Sequence, residues 1–287
     1  MKYICIKTNN SKIINYLQNA INKLKFENIY FSISQFKLYT NVIIHYNTDD
    51  FNKIIYEFSH ILSNLILDIC EENILKHIIT HEYGYFDSID RAKILDFIYD
   101  LQSDDDYSVK FDLLYDNFYL HLLNNNKLFL DGFIPFRVKD YLQILIENVD
   151  SAVNKFLIER EYSEFISILR LYISSQNPTK DVIHLIYNQN QAILLDKNQH
   201  IIEEKSLSFN AKYLSDITFS ANDYTLNSLL SIVPQKIYIH LINSDVDEFI
   251  DTLKLIFENR VVICHDCHIC KKYNKSKNSN DSATSSV

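Results

Sequence analysis

The chain is short of the residues that shape tight backbone: its 287 positions hold two glycines, three prolines, one methionine and no tryptophan. Phosphate-cradling loops depend on glycine, because only a residue without Cβ lets the backbone close on the ligand and take positive φ freely. With Gly84 and Gly132 alone, neither a Walker-type loop nor a dinucleotide fingerprint can be written, which removes the commonest nucleotide-dependent enzymes. Long apolar runs are missing too. The best, Ile54 to Cys70, is broken by Glu57, His60 and Asp68 and falls short of the ~20 residues a transmembrane helix needs. The opening MKYICIKTNN has too brief an apolar stretch for a secretory signal. Positive charge is in deficit: 28 Lys and Arg stand against 37 Asp and Glu, for a net charge of -9. Phosphate neutralisation therefore gives no drive toward nucleic acid. A cytoplasmic location is expected, and there the five cysteines would be reduced or metal-bound, not disulfide-paired.

What is present is apolar material, 47% of the chain, enough for a substantial core. Its periodicity predicts an α+β protein. Residues 1–48 read as a small α/β element, with a strand over Tyr3–Ile6, helical spacing at Ile13, Ile14, Leu17 and Ile21, and a β-branched stretch over 37–46. Residues 49–176 read as a helical region. Asp49 and Asp50 suit a helix start, and Ile54, Ile55, Phe58, Ile61, Leu62, Leu65, Ile66 and Ile69 then recur every three or four positions. Ser88 suits the cap of a further helix, and the run Asp104–Asp106 reads as a solvated loop. One stripe of Val138, Tyr141, Leu142, Leu145, Val149, Val153, Phe156 and Leu157 continues through Tyr162, Phe165, Ile166, Leu169 and Tyr172, with a bend expected near Glu161. Asn177-Pro178 stops it, because proline disfavours α geometry at the residue before it.

Residues 177–270 read as a C-terminal α/β region. Val182–Tyr187 and Ala192–Leu195 flank a turn-forming Asn-Gln-Asn-Gln, with Ile201 and Ile202 as a candidate third strand. A helix over 225–233, a strand over 236–241, a helix over 246–257 and a strand over 261–264 then make a βαβ unit. Residues 271–287, poor in apolar side chains, read as a disordered tail. Lys271, Lys272, Lys275 and Lys277 make a local positive patch there, better suited to a solvated tail than to a nucleic acid or a membrane surface.

The segment LDGFIPFRVKDYLQILIENVDSAVNKFLIEREYSEFISILRLYISSQ, residues 130–176, carries a Gly-Phe-Ile turn, an Arg-x-Lys-Asp-Tyr helix start and a Glu-Tyr-x-Glu-Phe-Ile stretch. In this order it is similar to the most recognisable part of the YtxC family of sporulation-associated proteins. PQKIYIH, IFENRV and the cysteines behind them extend the resemblance to roughly 130–270; the first 120 residues agree only in length and helical character. The resemblance implies a role in endospore formation and no established catalytic residue. Gly132, Phe133, Arg137, Lys139, Asp140 and Tyr141 match the motif and suit structural roles. The expectation is thus a sporulation-associated cytosolic protein, a non-enzymatic interaction or structural factor with an unidentified protein partner.

The residues that suggest chemistry lie at the C-terminal end. Cys264, Cys267 and Cys270, spaced C-x2-C-x2-C directly after a predicted strand, are soft ligands that zinc or, less readily, an iron–sulfur cluster would accept. A ferredoxin run would continue C-x3-C-P, but Asn274 and Lys275 stand there. His265 and His268 are too close in sequence to converge with the thiols, which leaves His240, Cys5, Cys70 or a second subunit as sources of the fourth ligand. Spacing alone slightly favours a metal-free thiol turn. If the metal is present, the alternative reading is a metalloprotein with a sensing or redox role. His77 and His81 share a helix face, but they suit an exposed helix end. Glu71-Glu72 and Glu203-Glu204 read as solvated pairs, Cys70 reads as a core residue, and no catalytic or cofactor-binding residue is assigned.

Overall fold

The computed structural model describes residues 2–24, 29–47, 51–188, 191–202, 220–242, 244–264 and 266–278. The chain divides into two compact units, Met1–Glu159 and Arg160–Val287, and the fold is α+β. The first unit opens with β1 (Lys2–Thr8), α1 (Ser11–Lys23), β2 (Ile29–Gln35) and β3 (Thr40–Tyr46). There follow α2 (Phe51–Leu65), a π-helical turn at Ile66–Cys70, α3 (Glu71–Glu82), α4 (Ser88–Leu101), α5 (Asp104–Asn124), β4 (Lys127–Phe129) and α6 (Leu130–Arg137). The 37-residue α7 (Lys139–Ser175) begins in this unit and ends in the second.

Strand order is β2-β3-β1-β4, with β4 parallel to β1 and the other pairs antiparallel. In β3 the alternate residues Thr40, Val42, Ile44 and Tyr46 are buried, the period-two pattern of a strand with one face on a core. The side chain of Asn10 accepts the backbone N–H of Lys12 and so caps α1, whose Ile13, Leu17 and Ile21 point inward at four-residue spacing. Ile54, Ile55, Phe58 and Leu62 of α2 share this core with Leu114 and Phe118 of α5 and with Tyr141, Leu145 and Val149 of α7.

Several expectations change here. β2 and β4 lie in stretches not read as strands: Tyr30 and Ile33 of β2 are exposed, and β4 is three residues long, too short to show a period. Asp104–Asp106 is no loop but the first turn of α5. The Ser103 hydroxyl accepts the Asp106 N–H while the Asp106 carboxylate accepts the Ser103 N–H, a reciprocal cap that favours acids at a helix start. Asp87, not Ser88, caps α4. Gly132 sits inside α6, where a Cβ would come within 2.8 Å of the Phe129 ring; glycine serves space there and not a turn. Helix α7 runs unbroken through Glu161. Up to Phe156 its stripe is buried apart from the half-buried Leu142; beyond it Ile166 and Ile173 are buried and Leu169 half-buried, while Tyr162, Phe165 and Tyr172 are exposed. The seam at two-turn spacing leaves the bulky aromatics to one side. Asp49 and Asp50 lie outside the described residues.

The second unit contains β5 (Lys180–Asn188), β6 (Gln191–Asp196), α8 (Ala221–Ile232), β7 (Pro234–Leu241), α9 (Glu248–Phe257), β8 (Val261–Cys264) and α10 (His268–Asn278). Its strand order is β6-β5-β7-β8. The expected hairpin is the antiparallel β5/β6 pair, and the expected βαβ unit is β7-α9-β8 within a parallel β5, β7, β8 run. Residues 189 and 190 of the hairpin turn lie outside the described residues. Among the described residues Ile201 makes only an isolated antiparallel bridge to Leu195, in place of the expected third strand.

Alternation sorts this sheet's side chains between two faces. Ile183, Leu185, Tyr187, Ile237 and Ile239 pack with Leu229 of α8 and Leu253 and Phe257 of α9. On the other face, Ile186, Leu195 and Ile242 meet Ile269 and Cys270 of α10. Residues 271–278, expected as tail, continue α10; 279–287 lie outside the described residues, as do Glu203 and Glu204. Among the described residues no helix is long and apolar enough to cross a membrane.

Candidate metal centre

The inner end of α10 meets the sheet where β7 and β8 run side by side. His240 and Cys264 are register partners on these parallel strands, so both side chains rise from one face. Cys267 stands immediately before α10 and Cys270 in its first turn, a spacing that sets both thiols on the same side of the helix start. Sγ of Cys270 lies 3.8 Å from Sγ of both Cys264 and Cys267, and Nδ1 of His240 lies 3.3 Å from Cys270 Sγ and 3.5 Å from Cys267 Sγ. All four ligand atoms fall within 4.8 Å of one another, and this is the one group of three or more such residues among those described that could hold a metal ion.

The electrostatics suit ligation. Burial, and then the neighbouring His184, pushes the His240 pKa down to about 4, so the ring is neutral at physiological pH with a lone pair to give. Burial works to raise Cys267, but backbone N–H groups of Cys270 and Ile269 and the Cys264 and Cys270 thiols bring it below the ordinary thiol value. That poises it as the first thiolate. Burial, followed by hydrogen bonds to Cys267 and Cys270, pushes Cys264 up to about 12.

All three cysteines named from sequence are therefore brought together, and of the open candidates for a fourth ligand His240 joins them. Cys5 and Cys70 are buried in the first unit, where burial, and then Asp131, pushes Cys70 up to about 11. His268 is exposed on α10 and outside the group, and His265 lies outside the described residues. His77 and His81 stack on one another, ring centroids 6.0 Å apart, and His81 Nδ1 lies 3.2 Å from the Glu82 carboxylate, but among the described residues they form no group that could hold a metal. What sequence reasoning missed is His184, whose Nδ1 lies 3.0 Å from Nε2 of His240. Strand alternation between β5 and β7 was the available signal.

A second buried polar group corrects the reading of Glu71 as solvated. Glu71 and Lys110 form a buried ion pair, and the Tyr141 hydroxyl donates to the other carboxylate oxygen at 2.9 Å. Burial, and then Glu71, raises the Tyr141 phenol far above its usual range, which keeps it a donor. Its neighbour Glu72 is exposed and pairs with Lys76 one turn on.

Among known proteins, the YtxC-like family model matches residues 56–262. The match starts well before the resemblance read from sequence and ends two residues before Cys264, so His240 lies inside it and the three cysteines beyond it. The uncharacterized protein YtxC of Bacillus subtilis (strain 168) is 20% identical over 212 residues, covering 70% of this chain and 74% of that protein. No solved structure matches. With well over half its length matched, the chain belongs to the YtxC-like family.

Proposed function

We propose that the second unit binds one zinc ion through His240 Nδ1 and the Sγ atoms of Cys264, Cys267 and Cys270, and that the ion fastens α10 to the sheet. The supporting observation is the spacing of the ligand atoms. Zinc takes sulfur at 2.3 Å and nitrogen at 2.0–2.1 Å, so a tetrahedral site sets sulfurs about 3.8 Å apart and nitrogen about 3.6 Å from sulfur. In the structure the Cys270 sulfur lies 3.8 Å from each of the other two and the His240 nitrogen 3.3 and 3.5 Å from Cys270 and Cys267, with every pair of ligand atoms within 4.8 Å. An iron–sulfur cluster spreads its ligands over several irons and suits so tight a group less well. Four protein ligands close the coordination shell, the pattern of a structural site and not a catalytic one.

Energetics favour the same role. Among the described side chains of α10, Ile269 and Cys270 are buried and Tyr273 is half-buried against them, and burying one isoleucine contributes about 1.5–3 kcal/mol. Fixing eleven residues of backbone costs on the order of 1–2 kcal/mol each, and so short a helix is marginal alone. Structural zinc in small peptides supplies about 10–16 kcal/mol, which is the scale required. Anaerobic purification with metal analysis tests this: near-stoichiometric zinc, lost on Cys267→Ser, supports the reading, and metal-free protein overturns it. The resemblance read in sequence supports a non-enzymatic role in sporulation as the wider setting, in the cytosol and through a protein partner; unimpaired sporulation after deletion of the gene would remove that setting.

A further inference from the structure

His240 turns its two ring nitrogens to different partners. Nδ1 faces the thiols, while Nε2 lies 3.0 Å from Nδ1 of His184. A neutral imidazole that gives its Nδ1 lone pair to a metal must keep its single proton on Nε2. In that state the Nε2–H of His240 donates to His184, so Nδ1 of His184 accepts and the His184 proton sits on its own Nε2. The arrangement is built into the strands: His184 of β5 is the register partner of Tyr238 of β7. Its ring lies against Tyr238 with centroids 5.5 Å apart and planes inclined by 24°, and against His240 at 5.2 Å and 34°.

We propose that His184 is a positioning residue for the metal centre: by accepting the Nε2–H of His240 it fixes the tautomer and the ring orientation in which Nδ1 reaches the ion. The inference rests on the zinc reading above. Metal-bound histidines commonly donate their other N–H to a carboxylate, a carbonyl or water, and such partners tune affinity by about 10–100-fold. Here the acceptor is a second imidazole held by an aromatic neighbour.

Two substitutions separate the hydrogen bond from mere packing. His184→Asn places an amide oxygen where Nδ1 stands, whereas His184→Leu fills the same space with carbon. In competition with a chromophoric chelator, the Leu variant should bind zinc about 10–100-fold more weakly and the Asn variant within a few-fold of the parent chain. In cobalt-loaded protein the Leu variant should shift the ligand-field bands as the nitrogen ligand loosens while keeping the thiolate charge-transfer band; the Asn variant should keep both. Independently, nitrogen NMR of the zinc-loaded parent should show His240 metal-bound at Nδ1 and protonated at Nε2. Equal weakening by Asn and Leu, or a His240 proton on Nδ1, overturns the positioning role. If the parent takes up no zinc, the metal reading falls and this one with it. If the parent takes up one zinc and the Leu variant matches it in affinity and cobalt spectrum, His184 alone loses its role.

Discussion

In the first unit, Glu71 and Lys110 are 7% and 2% exposed and neutralise one another, with Tyr141 donating to the remaining carboxylate oxygen. In the second, His240 and Cys270 are as deeply buried, at 2% and 4%, yet each member of their cluster offers a lone pair and none carries a fixed positive charge. Burial of polar groups is costly unless their bonding is completed. The first group is complete within the chain. The second is a set of lone-pair donors pointed at one spot, and that asymmetry, more than burial itself, is what supports the zinc reading proposed above.

On the zinc proposal, the widest separation between the units should come from removal of the ion. Stripping zinc with a chelator at neutral pH should leave the amides of Ile269–Lys272 exchanging near unstructured rates, while those of α2 and α5 keep their protection. Persistent protection in α10 would show that something other than the ion holds it. Next in size, Lys110→Ala should destabilise the first unit by about 3–5 kcal/mol, because it leaves Glu71 buried and uncompensated. Replacing the pair together, Glu71→Leu with Lys110→Met, should restore most of that in chemical denaturation, and a double variant as unstable as the single one would refute the lock. Tyr141→Phe should cost about 1–3 kcal/mol through the orphaned carboxylate oxygen. Lys76→Ala, which breaks only the exposed pair with Glu72, should cost a few tenths of a kcal/mol. A larger loss there would mean that neighbouring carboxylates do not differ as burial says they do.

The same contrast explains what could be read from the residues. Long periodic helices and alternating strands were legible: α2 through Ile54, Phe58 and Leu62, and the β7-α9-β8 unit through its change of period, because burial imposes the spacing. That the three cysteines come together was legible, because their residue type and spacing are local. That His240, among several candidates, joins them was not, since it depends on the parallel pairing of β7 with β8 twenty-four residues away in sequence at Cys264. Glu71 was misread for the same reason: its partners Lys110 and Tyr141 come from α5 and α7, and nothing near Glu71 in sequence announces them. Short β4, with no period to display, was silent.

The π-helical turn at Ile66–Cys70 bears on how Glu71 comes to point inward. Such a turn is equivalent to one residue inserted into a continuous α-helix, and each residue advances the helix by about 100°. Deleting a single residue from that stretch would leave α2 and α3 as one smooth rod, but it would rotate Leu75 and Ile79 off the core and carry the carboxylate away from Lys110. A deletion that improves the local geometry should therefore be worse tolerated than many substitutions that spoil it.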